Sequence, residues 1–124
     1  MTRQMLDKLI SEKFSAKAEY PWSSAPSFAV YRHENNKKWF AVIMDIPRSR
    51  IGLSGEGNIS VVNLKVEPML TGALCENDGI YPAYHMNKNH WITAEITDRT
   101  DIERLLWLVE MSYDLTKTAV KNKN

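Results

Sequence analysis

Three β-rich segments follow one another in the first half of the chain without a helix between them, and this pattern most restricts the fold. They cover residues 27–33, 38–46 and 58–66. The first two are joined by residues 34–37, a polar turn that tolerates a positive φ. Consecutive strands joined by connections this short pair antiparallel, because a parallel pair needs a crossover of a dozen or more residues. We therefore expect an antiparallel sheet.

Amphipathic helices are predicted at both ends of the chain. Apolar residues recur at helical spacing over residues 5–14, with charged residues on the opposite side. Near the other end, Thr100 and Glu103 have the spacing of a capping box, and a wide apolar stripe follows them. A long amphipathic helix buries its apolar stripe against another element, so these two helices are expected to cover one face of the sheet.

The segment between the third strand and the last helix supplies the remaining elements. A short helix is predicted from Glu67-Pro68 to about Leu74, and two further strands over residues 80–85 and 90–97. The predicted order is α-β-β-β-α-β-β-α, an α+β two-layer sandwich with a five-stranded antiparallel sheet and helices on one face. Residues 117–124 are polar and are expected to fray.

Length and composition indicate one soluble domain. The chain has 124 residues, which we assign to a single domain covering residues 1–124, and no apolar run long enough to span a membrane. Its N-terminus lacks the apolar core of a signal peptide, and its single cysteine, Cys75, fits a reducing cytoplasm. The net charge is only +1, whereas domains dedicated to duplex DNA usually carry a basic excess. Any nucleic-acid site is therefore expected to be a local patch.

The second strand is apolar on both faces, which predicts a central position in the sheet. Simple alternation places Trp39, Ala41 and Ile43 on the outer face, away from the helices, and the Phe40, Val42, Met44 and Ile46 side chains on the opposite face. The following connection, residues 47–57, contains Arg48 and Arg50 but no phosphate-binding loop motif. If this connection folds back over the sheet, it would cover an outer apolar row.

The most distinctive stretch lies at residues 81–93. It reads Tyr-Pro-Ala-Tyr-His-Met-Asn-Lys-Asn-His-Trp-Ile-Thr, with Asn87-Lys88-Asn89 predicted as a tight hairpin turn. This block resembles the His-hydrophobe-Asn-Lys-x-His-Trp signature of the small bacterial MmcQ/YjbR-like proteins, and the resemblance extends over essentially the whole chain. It implies a fold like that of frataxin or type III secretion chaperones. The family is commonly labelled DNA-binding, on a double-wing view of its hairpins.

Two interpretations of the signature stretch depend on which way its side chains point. In a structural interpretation, His90 alternates with Ile92 and faces the helices as a buried neutral imidazole. In a DNA-binding interpretation, cationic hairpin tips contact phosphates, and Trp91, Trp39 and Tyr31 form an aromatic platform on an open sheet face.

Two further interpretations remain. A protein-interaction or homodimerisation module would use the same aromatic sheet face, which the apolar row beginning at Trp39 favours. Enzyme or metal chemistry is not expected: His85 and His90 lack a third and fourth metal ligand, and no nucleophile elbow or acid pair is present. The prediction is a non-enzymatic protein without cofactor, metal or membrane partner. The residues predicted to contact DNA or a partner are Lys37, Lys38, Trp39, Arg48, Arg50, His85, Asn87, Lys88 and Trp91.

Overall fold

A computed structural model describes residues 1–117 of the chain, so the predicted fraying of the C-terminal segment lies, beyond Lys117, outside the described residues. The helices are α1 (Arg3–Phe14), α2 (Thr71–Cys75) and α3 (Ile102–Thr116), and the strands are β1 (Ala29–Arg32), β2 (Trp39–Pro47), β3 (Asn58–Lys65), β4 (Ile80–Pro82) and β5 (Trp91–Glu95). Short 3₁₀ turns occupy Arg48–Ile51 and Pro68–Leu70. Within residues 1–117 no helix is long and apolar enough to cross a membrane.

The five strands form one antiparallel sheet in the order β1-β2-β3-β5-β4. The helices cover one of its faces, where Leu6 and Ile10 of α1 and Leu108 of α3 are fully buried against residues such as Ile43 and Ile92. The predicted α+β class, the element order and the two-layer arrangement are confirmed. The structure places β2 and β3 at the centre of the sheet, consistent with their apolar residues on both faces.

The outer face carries a second, smaller core instead of an open surface. Its buried members come from the three strands β1, β2 and β3: Val30, Val42, Met44, Ile46, Ile59 and Val61. Loops cover them, because Ile51 and Leu53 of the β2–β3 connection pack here together with Phe28 and Tyr84. Of the two alternatives, the one in which this connection folds back over the sheet is observed, and the alternative of an open apolar face is wrong for the centre of the face.

A β-bulge at Phe40 explains why simple alternation failed along β2. Tyr31 pairs with Ala41 and Arg32 pairs with Trp39, so Phe40 is an extra residue on β2. Both Phe40 and Ala41 lie in the helix-side core, and beyond them the alternation is inverted relative to the prediction. The residues of β2 that face the helices are therefore Ala41 and Ile43, whereas the outer face receives Val42, Met44 and Ile46. Trp39 does reach the outer face, because the bulge shifts it there.

Ser112 of α3 bridges β2 and β3 beside the bulge, beyond the last pair of their ladder. Its hydroxyl donates to the Phe40 carbonyl oxygen at 2.6 Å and accepts from the Lys65 amide at 2.8 Å. The ladder between the two strands begins only at the next pair, Ala41 with Leu64. Ser112 is fully buried, so its single hydroxyl satisfies two backbone groups that water does not reach.

The start of α3 differs by one residue from the predicted capping box. Asp101 is the N-cap, and its carboxylate accepts from the Arg104 amide at 3.1 Å. Thr100 instead donates to the Glu95 carbonyl oxygen and accepts from the Thr97 amide, which closes the turn before the helix. Both residues are good helix caps, and the tertiary contact with β5 decides between them.

Candidate nucleic-acid interface

Two loops at the same end of the sheet carry most of the predicted binding residues. The β1–β2 loop contains Lys37 and Lys38, and the β4–β5 loop, residues 83–90, contains His85 and Lys88. Because β1 and β4 both run toward this end, we call it the tip end. The two loops are centred three strand spacings apart, which corresponds to about 14 Å.

The first loop is a tight turn with Lys37 in the left-handed region, at φ 64°. The His33 amide donates to the Lys38 carbonyl oxygen at 2.9 Å, and the Lys37 amide donates to the His33 carbonyl oxygen at 3.0 Å. Asn36 ties the turn to the end of α3 by donating its side-chain amide to the Thr116 carbonyl oxygen at 2.9 Å. A lysine therefore occupies a backbone position that glycine or asparagine adopts at lower cost.

The second loop is longer than the predicted hairpin turn. β4 ends at Pro82 and β5 begins at Trp91, so eight residues, 83–90, connect them. Asn87 organises the second half of this loop: its side-chain oxygen accepts from the Asn89 amide at 2.8 Å, and its carbonyl oxygen accepts from the Trp91 amide at 2.9 Å. Asn87 thus has the turn-forming role expected from its sequence.

A closed ring of hydrogen bonds holds the first half of the loop at Tyr84. The Tyr84 amide donates to the Thr93 hydroxyl at 2.9 Å, this hydroxyl donates to the Asn63 side-chain oxygen at 2.5 Å, and the Asn63 amide group donates to the Tyr84 carbonyl oxygen at 2.8 Å. Asn63 and Thr93 are buried on the outer face of β3 and β5. We call this arrangement the Tyr84 ring.

His85 follows the Tyr84 ring directly and is exposed with φ 60°. Its imidazole lies against the Tyr84 side chain, with ring centroids 4.0 Å apart. Left-handed backbone at a non-glycine residue costs on the order of 1–3 kcal/mol and persists only where the surroundings hold it. The Tyr84 ring supplies this restraint. Groups of three or more metal-ligating side chains do not occur among residues 1–117.

The buried histidine of the fold is His33, not His90. His90 is exposed because it lies before the first residue of β5, so the alternation that turns Ile92 toward the helices does not extend back to it. His33 is buried at the end of α3, where its Nε2 lies 2.8 Å from the Thr116 hydroxyl and its ring contacts Tyr113 at 4.4 Å. The prediction of a buried His90 was wrong.

Burial of His33 should make the stability of the fold depend on pH. Desolvation, aided by the charges of Lys117 and Lys38, lowers the pKa of His33 below its ordinary value of 6.5, although a hydrogen bond to the Tyr113 backbone opposes this. The unfolded chain then binds the proton more readily, so the free energy of unfolding should fall as pH drops below about 6.5. The expected slope is at most about 1.4 kcal/mol per pH unit.

Urea unfolding at a series of pH values between about 7 and 5 measures this slope. His33→Gln should reduce the slope, whereas the matched exposed control His90→Gln should leave it unchanged. Equal slopes in wild type and His33→Gln would contradict the assignment, whatever the absolute stability of the variant.

At the tip end, the outer face of the sheet carries a row in which cations and tryptophans alternate across four neighbouring strands. Arg32 of β1 pairs with Trp39 of β2, and Lys65 of β3 pairs with Trp91 of β5. All four side chains are half-buried, and we call them the cation–tryptophan row. Tyr31 is not part of this surface: it is buried under α1, where its hydroxyl donates to Asp7 at 2.6 Å.

Arg48 and Arg50 lie at the opposite end of the sheet, so the structure does not bring them together with the other predicted residues. Arg48 donates from Nε to the Ser54 carbonyl oxygen at 2.7 Å and thereby closes its own loop, while Arg50 is exposed. Arg48 also borders a polar cleft of about 660 Å³. In this cleft the Tyr81 hydroxyl donates to Glu95, and burial together with this carboxylate raises the pKa of Tyr81 to about 12.

Lysines at the tip end keep their charges free. None of the ion pairs within residues 1–117 involves Lys37, Lys38, Lys65 or Lys88. Three exposed glutamates, Glu19, Glu34 and Glu67, lie near the same end, and Glu19 is paired with Arg32. The four lysines therefore remain in slight excess there, although the whole chain is nearly neutral. These unpaired lysines are the cations available to a local binding patch at this end of the sheet.

The fold and the tip end define a class: a small α+β protein with an antiparallel sheet, helices on one face and two restrained loops at one end. A family model described as YjbR matches residues 11–115, and the chain belongs to this family. The chain is 40% identical over 118 residues to the uncharacterised protein YyaQ of Bacillus subtilis strain 168, covering 94% of this chain and 99% of the relative. The resemblance seen in the signature stretch is thereby confirmed.

Solved structures share the fold. A Pseudomonas syringae protein determined by structural genomics is 43% identical in its crystal structure, with a TM-score of 0.92 over 94% of this chain and 100% of that chain. Its solution NMR structure gives 42% identity and a TM-score of 0.86, over 97% and 96% of the two chains. A Deinococcus radiodurans protein at 23% identity and a TM-score of 0.65, over 89% and 76%, shares the fold alone.

Sequence reasoning missed three polar residues that position this end of the molecule: Asn63, Thr93 and Ser112. Each lies in an apolar run of its strand or helix, where a buried polar side chain needs a hydrogen-bond partner. A polar residue within an otherwise apolar run was therefore the available sequence signal for these three positions. The partners themselves are 9 to 72 residues away and could not be identified from the sequence.

Proposed function

We propose that this protein binds DNA without catalysing a reaction, and that the two loops of the tip end contact the phosphate backbone. The observation that carries the proposal is the pair of restrained loops, each presenting an exposed lysine at the same end of the sheet, about 14 Å apart. Phosphate contacts by lysines supply most of the affinity of non-specific DNA binding.

The backbone of both loops supports this role. Lys37 and His85 occupy the left-handed region, and in each case hydrogen bonds from a distant element hold the loop. Strain of this kind persists only where the surrounding structure holds it, and it is enriched at binding and active sites. Lys88 lies in the loop that the Tyr84 ring anchors, so its charge is presented from a restrained backbone.

The charge distribution limits the expected affinity. Four unpaired lysines lie at or beside the tip end, against a net charge of +1 for the whole chain. With about 0.9 counterions released per duplex phosphate contact, the logarithm of the binding constant should fall with the logarithm of salt concentration with a slope no steeper than about −4. Binding should be weak at physiological salt and measurable at low salt.

Lysine substitutions test the proposal. Lys88→Gln should weaken binding to a labelled DNA at about 50 mM salt and make the salt slope shallower by about 0.7 to 0.9, the value of one phosphate contact. Lys37→Gly should have the same effect on binding while raising the free energy of unfolding by about 0.5–1 kcal/mol, since glycine relieves the left-handed strain.

Fluorescence anisotropy over a salt series measures both effects. Lys8→Gln, which removes the same charge from the exposed side of α1, is the matched control and should leave the slope unchanged. Binding that is absent at low salt, or a slope that Lys8→Gln and Lys88→Gln alter equally, would contradict the proposed interface.

A further inference from the structure

The spacing of the two loops by itself does not distinguish duplex from single-stranded DNA. A separation of about 14 Å is comparable with the ~12 Å width of the major groove, and it also spans a few nucleotides of one strand. Lysine contacts to phosphates carry no information on whether the bases are paired. The cation–tryptophan row, which lies on the outer face beside the loops, distinguishes the two, because unpaired bases are free to stack on aromatic rings, whereas the bases of a duplex are stacked on one another.

The row presents aromatic rings to solvent beside the lysines. Trp91 is half-buried and makes no ring-to-ring contact with any residue from 1 to 117. Trp39 is also half-buried and packs against the outer core, and its ring contact within residues 1–117 is a T-shaped one with Trp22, with centroids 5.6 Å apart and planes at 78°. A protein that contacts only phosphates does not need exposed aromatic rings. Unpaired bases, in contrast, stack on such rings whatever the nucleotide sequence.

Two features of the fold set this row in place. The bulge at Phe40 turns Trp39 outward, because without the extra residue Trp39 would follow Ala41 and Ile43 toward the helices. At the same level of β3, Lys65 is the next outward residue after Asn63, and it pairs with Trp91 on β5. A cationic side chain therefore lies between two indoles that are two strand spacings, about 10 Å, apart at their backbones.

We propose that the cation–tryptophan row is a binding site for single-stranded nucleic acid, in which Trp39 and Trp91 stack on bases and Lys65 contacts a phosphate between them. This inference rests on the proposed DNA binding and narrows it to single strands. Rings whose backbones lie about 10 Å apart can each stack on a different base of the same strand. Together with the lysines of the two loops, the footprint falls within the 4 to 16 nucleotides typical of small single-strand binding folds.

The test compares oligo-dT of about 12 nucleotides with a duplex of the same length by fluorescence anisotropy. The wild-type protein should bind oligo-dT more tightly than the duplex. Trp91→Leu, which keeps an apolar side chain, should weaken oligo-dT binding roughly tenfold or more and duplex binding less than twofold. Trp107→Leu is the control, because Trp107 is an exposed tryptophan on α3 and should affect neither.

Lys65→Gln provides a second variant that leaves both rings intact. It should make the salt slope for oligo-dT shallower by about 0.7. Duplex binding as tight as oligo-dT binding, with no effect of Trp91→Leu on the latter, would overturn this inference and leave the proposed DNA binding standing. Failure of both DNAs to bind at low salt would overturn the proposed function and this inference together.

Discussion

Ser112→Ala should lower the free energy of unfolding by about 2 to 4 kcal/mol, the largest effect expected among the substitutions proposed for this protein. The change removes one hydroxyl that donates to the Phe40 carbonyl oxygen and accepts from the Lys65 amide. Both backbone groups lie at the bulge, where the β2–β3 ladder offers them no other partner, and Ser112 itself is fully buried. An unsatisfied buried polar group costs about 1–3 kcal/mol, and here two groups lose their partner.

Urea unfolding followed by far-UV circular dichroism measures this loss. Ser11→Ala, the same substitution at a partly exposed position of α1, is the matched control and should change stability by less than about 0.5 kcal/mol. A Ser112→Ala variant as stable as the control would mean that the bulge does not depend on this hydroxyl. Because the bulge also orients Trp39, the variant should bind oligo-dT more weakly than Ser11→Ala does.

Thr93→Val should cost about 2 to 3 kcal/mol and loosen the β4–β5 loop. Valine has nearly the shape of threonine, so packing is kept while two hydrogen bonds are lost: the Tyr84 amide loses its acceptor, and the side-chain oxygen of Asn63 loses its donor. Thr93 and Asn63 are both buried, which makes the orphaned groups costly. The left-handed backbone at His85 then loses the restraint next to it.

Amide hydrogen exchange distinguishes this local effect from general destabilisation. Exchange should accelerate most at residues 84–90, beyond the change that the loss of global stability explains. Thr71→Val serves as control, since the Thr71 hydroxyl bonds the Pro68 carbonyl oxygen at an exposed site. Uniform acceleration across the whole sheet, with no excess in the loop, would show that the Tyr84 ring does not hold it.

Elements with strong local periodicity were predicted well. The strands β2 and β3 and the helix α3 lie within one or two residues of their expected bounds at most of their ends, because alternation or helical spacing continues through them. The order of elements followed, and with it the antiparallel sheet with helices on one face. For the candidate site, the lysines of the two loops were identified because charged residues in predicted turns are exposed.

Errors arose where one residue changes the register. The extra residue Phe40 inverted the assignment of faces along β2, so Ala41 and Ile43 lie in the main core rather than outside. The β4–β5 connection has eight residues instead of the four between the predicted strands, which exposes His90. Neither change alters the apolar pattern of its segment, so neither has a local signal. Arg48 and Arg50 were grouped with the loop lysines by charge alone, and the strand directions place them at the other end.

The sequence by itself determined the secondary elements, their order and the family, because propensity and periodicity act over a few neighbouring residues. Tertiary structure decided which face each side chain takes and which end of the sheet each loop occupies. The physical reason is hydrogen-bond satisfaction between distant segments. Ser112 satisfies the bulge from α3, and Asn63 and Thr93 hold Tyr84 from two central strands. Those contacts act at the bulge beside Trp39 and at the start of the loop that contains His85 and Lys88, and the order of residues along the chain does not reveal them.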